Sequence, residues 1–503
     1  MAAVDRAAQR RGIPSRTLME RAAEGIVAMA HEVFPGAGSV VVMCGPGNNG
    51  GDGLAAARLW RGAGADVRVV TLDAPGRFRG DARANWEAAK SAGVPAMEWV
   101  RDRAAAARAL ARADLVVDAL FGTGLSRALS GPARRLVDAA NGTGRPILAI
   151  DVPSGLSGDS GERIGAAIVA RWTGAIAALK RCHVLYPARE NCGDVAVIDI
   201  GIPDALVETR RHRFAMIGAG EIAPLFPARR PDAHKGDFGR VAIVAGSRGK
   251  AGAALLCGAG ALRAGAGLVT IAAPASIERG FLARLPEAMT LPLPDDGGAM
   301  SPEAAAVVAD LLKGMDAAGA GPGIGTGPGA AAVVAALIRA PVPVVFDADA
   351  LNLQPGPEAF RRRRAPTILT PHPGEAGRLL GRSVREIQSD RPAAAAELAR
   401  RSRTVVVLKG APTLTADPSG MLWCNGSGSP ALAKGGTGDV LTGIAASFLA
   451  QGLEASDAAV AAVFVHGLAG EAAGAASGER GALASEVADA VGRVLAALEQ
   501  EWR

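Results

Sequence analysis

The stretch SVVVMCGPGNNGGDGLAAARLW, residues 39–60, holds three signals in a row. A run of β-branched residues is followed by a glycine-rich turn and then by an alanine-rich segment. That order reads as strand, loop and helix, the opening of a βαβ unit. Gly45, Gly47 and Gly50 fit the spacing G-x-G-x-x-G, formally a dinucleotide fingerprint. Asp52 spoils the match, because it stands at the predicted helix start, where a pyrophosphate would sit. Two like charges about 4 Å apart repel by about 4 kcal/mol at an effective dielectric of 20. The loop also lacks the Lys-Ser/Thr pair of a P-loop. The plain alternative is a tight turn in which Asp52 caps the helix.

Outward from this stretch the same pattern recurs. DVRVVTL, DLVVDAL and PILAID read as strands in the first part of the chain. GRVAIVAG, GLVTIAAP, VPVVFDAD, PTILTP and TVVVLKG read as strands in the second. Runs that are apolar on both faces predict parallel sheets covered by helices. In such sheets ligands gather at the carboxyl ends of strands. That rule selects Gly45–Gly53, Asp118, Asp151, Asp347, His372 and Lys409. Asp52, Asp118 and Asp151, converging with glycine loops in one crevice, suggest a bound cation, a general base, or both.

The 503 residues exceed one ordinary core, and an Arg- and Pro-rich segment after DVAVIDIGIP predicts a boundary near residue 212. The net charge of +6 comes from arginine dispersed among nearly as many acids. This suits anionic small molecules and gives no reason to expect a nucleic acid partner. The run Arg361–Arg364 reads as a solvated helix face. No strongly apolar stretch looks long enough to span a bilayer, and no membrane partner is expected. The first residues lack the apolar core of a signal peptide. Five scattered cysteines without a CxxC pair read as reduced, buried thiols of a cytoplasmic protein, so any metal would take oxygen ligands. Among only seven lysines, Lys235, Lys409 and Lys434 fall in glycine-rich motifs.

The second half contains SGSPALAKGGTGDVLTGIAASFLAQG, residues 427–452. Gly435, Gly436 and Gly438 open a predicted helix from Val440, whose free N–H groups suit a phosphoryl group in transfer. Asp439 follows, placed to take a proton from a hydroxyl; the plain alternative is a capping aspartate. Lys409 and Gly410 suit nucleotide phosphates, and Gly321 and Gly323 suit a close backbone approach. His372, between two prolines at a strand end, reads as a ligand contact, whereas His466 within an apolar helix reads as core. Asp347 and Asp349 are either helix caps or part of a magnesium shell.

Taken together, the first-half motifs VDRAAQRRGIPSRTLMERAA, GPGNNGGDG, VVDALFGTGLSR, AIDVPSGLSGDSGE and DVAVIDIGIP resemble the NAD(P)H-hydrate epimerase domain over residues 1–212. Arg21 stands where that family's pattern has Asn, a change expected to alter a local contact only. The motifs HKGDFGRV, GPGIGTG, DADAL, LTPHPGE, LKG and AKGGTGDVLTG make residues 213–503 resemble the ribokinase-like superfamily, and within it the ADP-dependent NAD(P)H-hydrate dehydratases. The resemblance implies an α/β chain with a Rossmann-like three-layer domain followed by a ribokinase-like three-layer domain. It implies that Asn48, Asn49, Gly50, Gly51 and Asp52 contact the hydrated nucleotide. Gly122, Thr123, Gly124, Leu125, Ser126, Arg127 and Ala128 would form a second nucleotide loop. Asn49, Asp118 and Ser154 would hold potassium, and Asp151 would be the acid/base for inversion at C6. In the second half it implies that Ala253, Gly321, Gly323, His372 and Asp439 contact the hydrate. Lys409, Gly410, Ala411, Pro412, Thr413 and Gly438 would bind ADP, the phosphate donor, with magnesium. The implied partners are small molecules: hydrated NADH and NADPH, and ADP. Assembly into a homo-oligomer is left open. The rivals are a kinase for a vitamin precursor, a scaffold built on the front domain, and a conventional dehydrogenase.

Overall fold

The computed structural model describes residues 2–207, 213–278, 280–281 and 283–501. The chain divides into two units, residues 1–212 and 213–503. The boundary expected near residue 212 falls on 208–212, outside the described residues.

The first unit is a seven-stranded sheet of β1 (Ser39–Cys44), β2 (Asp66–Thr71), β3 (Ala96–Glu98), β4 (Leu115–Ala119), β5 (Ile147–Ile150), β6 (Trp172–Ile176) and β7 (Asp194–Ile198). Their spatial order is β3-β2-β1-β4-β5-β6-β7. Every neighbouring pair is parallel. Successive residues of a strand face opposite sides, and here both sides are dry. Val40, Val42 and Cys44 enter one apolar layer with Ile26 and Leu54, while Val41 and Met43 enter the other with Leu110 and Leu136. Parallel strands buried on both faces need helices on both faces, hence three layers. The order of strands reverses between β1 and β4, which opens a crevice at their carboxyl ends.

The second unit contains β8 (Phe214–Ile217), β9 (Arg240–Val244), β10 (Leu268–Pro274), β11 (Met289–Leu293), β12 (Asp295–Asp296), β13 (Ala299–Met300), β14 (Ala317–Ala320), β15 (Val344–Phe346), β16 (Thr367–Leu369), β17 (Val405–Leu408), β18 (Leu414–Ala416) and β19 (Leu422–Asn425). Ten of these make one sheet, ordered β11-β10-β9-β14-β15-β16-β17-β18-β19-β8, and β12 pairs only with β13. The strands read from the sequence pair in parallel, β9 with β10, β15 with β16 and β16 with β17, whereas β18 and β19, which follow them, are not foreseen by it. β17 with β18 and β18 with β19 run antiparallel, so the sheet is mixed. Three- and four-residue strands joined by short turns cannot make the long crossover that parallel pairing requires.

Two expectations fail. Arg361–Arg364 is not a helix face: the segment lies in turns after the short helix Pro357–Phe360. Arg363 reaches inward and donates to the carbonyl oxygens of Leu337, Ile338 (3.0 Å), Ala340 (3.3 Å) and Val342 (2.7 Å). These include acceptors left free at the end of the helix Pro328–Arg339. The helix Ala455–Ser477 is, by length and composition, apolar enough to cross a membrane, but 72% of that apolar window is buried within the protein. The five cysteines are free and buried, as the sequence predicts.

Candidate functional site

In the first unit the glycine stretch is helical from its middle. The helix runs Asn48–Gly62 and Gly47 precedes it, so Asp52 lies in its second turn and caps nothing. This corrects the expected helix start. Glycines inside a helix are costly, and close contact explains them. A Cβ on Gly45 would lie 1.8 Å from the carbonyl oxygen of Leu120, and one on Gly50 1.8 Å from that of Gly45. The helix is therefore drawn into the gap between β1 and β4, where Gly50 is needed for close contact with the backbone of Gly45 and Gly53 for contact with Ala119.

Asp118, at the end of β4, is fully buried. Its carboxylate accepts from Ser154 N (2.7 Å), Ser154 Oγ (2.7 Å) and Leu120 N (3.2 Å). Burial pushes its pKa up to about 6, against those hydrogen bonds. It has no cationic side chain in contact among the described residues. Asn49 is buried nearby, and its Nδ2 has no partner. Turning that amide over would put Oδ1 where Nδ2 now stands without a partner. Asp118 and Ser154 are thus joined, and a carboxylate, a hydroxyl and an amide oxygen are the donor types that could hold a monovalent cation. A Cβ on Gly122 would stand 3.5 Å from the Asn49 side chain and 3.6 Å from Asp151 Oδ2, which brings the two loops and Asp151 together. From Gly122 to Ala128 the loop is half-buried to exposed, with Gly124, Ser126, Arg127 and Ala128 outermost. Asn48 is exposed, and Gly51 is buried beside Met19.

Asp151 is held at φ 64°, a left-handed conformation uncommon for a side-chain-bearing residue. Its Oδ1 accepts from Ile176 N (3.1 Å) and from Lys180 Nζ, which also donates to Ile176 O (2.6 Å). His183 Nδ1 accepts from Lys180 N (3.0 Å), so Nε2 carries the proton, 2.8 Å from Asp151 O. Burial, then the Lys180 charge, lowers the His183 pKa to about 4, so the ring stays neutral. Asp52 is pushed well above the usual carboxylate range by burial, and further by Asp151 and Asp5, with Lys180 opposing. Sequence reasoning missed Asp5, Lys180 and His183. Arg21, the family departure, donates from Nη1 to Ile200 O (3.1 Å).

In the second unit the helix Thr437–Ala450 begins one turn earlier than the sequence predicts, after Gly436 at φ 95°. Asp439 lies in its first turn. Burial, then Asp347, raises the Asp439 pKa to about 7, with Lys409 opposing. Lys409 is held by two carboxylates in this arrangement. Its Nζ bonds Asp347 Oδ1 at 2.6 Å and stands 3.9 Å from Glu375. Burial works against the Lys409 charge, but Asp347 and Glu375 prevail and its pKa is raised. Thr442 Oγ1 donates to the other Asp347 oxygen (2.8 Å). A Cβ on Gly438 would be 3.5 Å from Lys409 Nζ, so ammonium and glycine helix share one corner. Asp349 instead fastens the 321–327 loop, accepting from Gly325 N (2.9 Å) and Lys250 Nζ (3.3 Å). Neither aspartate is the cap of the helix Asp349–Asn352; Ala348 is.

His372 serves the fold directly. Its Nδ1 accepts from Gly374 N (2.9 Å) and Glu375 N (3.4 Å), capping the helix Pro373–Leu380. Half of its side chain remains exposed. His466 is buried, as expected, with Nε2 2.8 Å from Thr437 O. Gly323 faces the helix Ala251–Arg263, where an added Cβ would lie 3.2 Å from that of Ala253, and one on Gly321 would strike Asp347 O at 1.9 Å. Lys434 is pinned by Arg480 O (2.8 Å) and Ala482 O, away from this corner. Gly410 and Ala411 are exposed, while Pro412 and Thr413 are half-buried. Arg391, also missed, shapes that loop from beneath, donating from Nη2 to Leu408 O (3.2 Å), Lys409 O (3.3 Å) and Pro412 O (2.8 Å). A cavity of about 660 Å³ lined by Glu358, Arg361, Arg400, Arg401 and Arg403 adjoins the amino end of β17, at the opposite end of that strand from Lys409. Among the described residues no group of three or more His, Cys, Asp or Glu is arranged to hold a metal.

Comparison with known proteins bears on both units. The family NAD(P)H-hydrate dehydratase matches residues 241–493, and the family YjeF-related protein N-terminus matches residues 15–182. The chain is 39% identical over 501 residues to the bifunctional NAD(P)H-hydrate repair enzyme Nnr of Thermofilum pendens, covering 99% of this chain and 95% of that one. It is 37% identical to the protein of that name from Escherichia coli, covering 96% and 90%. Among solved structures, the ADP/ATP-dependent NAD(P)H-hydrate dehydratase of Bacillus subtilis, co-crystallized with ATP and Mg2+, aligns with TM-score 0.52 and 34% identity, over 57% of this chain and 99% of that one. A ribokinase-like superfamily protein of Enterococcus faecalis, 24% identical with TM-score 0.50 and covering 57% and 98%, shares the fold of the second unit.

Proposed function

This chain belongs to the bifunctional NAD(P)H-hydrate repair enzymes, joining epimerase and dehydratase activities, and from that premise we propose how its residues divide the work. Asp151 is the acid/base of the first unit. In the hydrated nucleotide, C6 carries a hydroxyl beside N1, a hemiaminal. Inversion follows when the hydroxyl proton passes to Asp151, C6=O forms, and the C6–N1 bond opens as Asp151 hands that proton on to N1. Closure on the other carbonyl face reverses these transfers. The residues Asn48–Asp52 and Gly122–Ala128 hold the nucleotide. Potassium fits beside Asn49, Asp118 and Ser154; the support is the buried Asp118 without a cationic partner and the orphaned Asn49 amide. That ion would supply charge for the substrate's negative groups.

In the second unit, Asp439 takes the proton of the C6 hydroxyl as the oxygen attacks the terminal phosphorus of ADP, releasing AMP. The amides opening the helix Thr437–Ala450 face the moving phosphoryl group, and Gly321, Gly323, Ala253 and His372 bound the hydrate. The new C6–O–phosphate bond then breaks as the N1 lone pair moves in, and loss of a C5 proton restores the ring. Magnesium would arrive on the nucleotide phosphates and neutralise them, a binding mode needing few protein carboxylates. Lys409–Thr413 and Gly438 bind the adenine nucleotide. One observation carries this reading: a half-buried carboxylate, packed beside Asp347 and Lys409 and with its pKa raised to about 7, at a glycine-led helix start. Pure protein given an R and S hydrate mixture, Mg2+ and either ADP or ATP should restore dihydronicotinamide absorbance from both epimers, faster with ADP. Accumulation of a stable phosphorylated hydrate, or faster turnover with ATP, overturns the respective part.

A further inference from the structure

The ammonium of Lys180 is buried, with 6% of its side chain exposed, against the 15% exposed Asp151. A buried charge persists only when paired and hydrogen-bonded. Lys180 meets both conditions by contacting a single carboxylate oxygen, Oδ1, and the carbonyl of Ile176. Ile176 N takes a further site on the same Oδ1. The other oxygen, Oδ2, faces Gly122 and the Asn49 side of the crevice. The two oxygens of one carboxylate thus have different roles.

The backbone makes the same division. Asp151 at φ 64° keeps that conformation because its surroundings over-determine it. Asp151 N donates to Gly174 O (2.8 Å), and neutral His183 holds Asp151 O from Nε2, its tautomer set by the backbone N–H of Lys180. The segment 180–183 therefore grips Asp151 twice, at the side chain through Lys180 and at the main chain through His183.

We propose that Lys180 is the positioning residue of the epimerase site: by anchoring Oδ1 of Asp151 it aims Oδ2 at the C6 hydroxyl, so that Oδ2 alone carries the proton. This rests on the assignment of Asp151 as acid/base. Lys180 does not touch the substrate, so its loss slows proton transfer and leaves nucleotide binding nearly unchanged. Misaiming a proton-transfer group forfeits most of what it contributes, roughly 100- to 10,000-fold.

The test uses the full chain and R hydrate, coupled to dehydration by the chain's own second unit. Lys180→Met keeps the length and removes the charge, and should lower the epimerisation kcat at least about 100-fold with KM changed less than about threefold. Lys180→Arg, which can still donate to Oδ1, should recover part of the loss. Dehydration of pure S hydrate shows that the coupling reaction is intact, and urea unfolding of each full-length variant beside the parent reports folding of the first unit. Asp151→Asn is measured beside them. If it retains epimerisation, the acid/base assignment fails. If it loses epimerisation while Lys180→Met keeps the parental kcat, or loses KM alone, the positioning role is overturned and the assignment stands. Should Lys180→Met prove misfolded by urea unfolding, Lys180→Gln is read by the same two criteria.

Discussion

Each unit buries one lysine against one aspartate, and the two pairs do opposite things to the carboxylate proposed to react. In the first unit the lysine's partner is the reacting carboxylate itself: Lys180 bonds Asp151. In the second unit the partner is a bystander: Lys409 bonds Asp347, and Asp439 is left with a pKa near 7. A carboxylate gripped by an ammonium through one oxygen is aimed, which suits proton exchange with a hydroxyl that must be met from a fixed direction. A carboxylate left beside a neutralised pair is basic enough to strip an alcohol, which suits phosphoryl transfer. The same two residue types yield an oriented group in one crevice and a general base poised near pH 7 in the other.

The comparison breaks most sharply with crossed variants. Asp439→Asn should abolish nucleotide-driven dehydration while R and S hydrates still interconvert, and Asp151→Asn should do the reverse, each loss being about 100- to 10,000-fold. Chiral separation of the hydrates together with absorbance of the restored ring checks both. Dehydration by a folded Asp439→Asn protein at the parental rate contradicts the division of labour.

A smaller effect separates the two lysines. Lys409→Met should weaken ADP binding about 10- to 100-fold, the size of one charged hydrogen bond, and hydrate binding far less. Calorimetric titration of each ligand decides it. Equal weakening of both would make Lys409 a purely structural partner of Asp347.

The pH dependence sharpens the contrast further. Asp439 must be ionised to accept a proton, so the dehydration kcat should fall as pH drops through about 7. Asp347→Asn removes an anion that raises the Asp439 pKa, and should move this limb to lower pH. Lys409→Met removes the opposing cation and should move it to higher pH. Movement of both limbs in one direction would detach Asp439 from this pair.

The smallest expected effect is at Arg21, whose bond to Ile200 O lies outside the crevice. Arg21→Asn should change stability by about 0.5–1.5 kcal/mol and leave both activities intact. Urea unfolding with parallel assays checks this.

The carboxyl-end residues were legible because strongly apolar strands announce themselves. Asp118 and Asp151 terminate VVD and LAID, and a parallel sheet makes strand ends meaningful. The partners of Asp151 were hidden because β6, WTGAI, mixes polar and small residues and shows no alternation, so Lys180 beyond its end had no strand to follow. The scarcity of lysine was a usable signal, since Lys180 is one of seven. β14, with the sequence AAGA, has no β-branched residue at all and forms because it is buried between β9 and β15. The helix start at Asn48 was misplaced because contact between backbones overrode the low helix propensity of glycine. His372 illustrates a further limit, since Pro373 and Glu375 downstream fit a helix cap as readily as a ligand loop.

The close seam of Gly45, Gly50 and Leu120 has a consequence for affinity. Where main chain rests on main chain there are no rotamers to freeze, so that wall of the crevice loses little entropy when a nucleotide arrives. The facing stretch Gly122–Ala128 is half-buried to exposed, and side chains such as Ser126 and Arg127 lose rotamer freedom there on contact with a ligand. Differences in hydrate affinity among relatives should therefore originate in the second wall, while the first acts as an unyielding template whose shape is set by side chains that are absent.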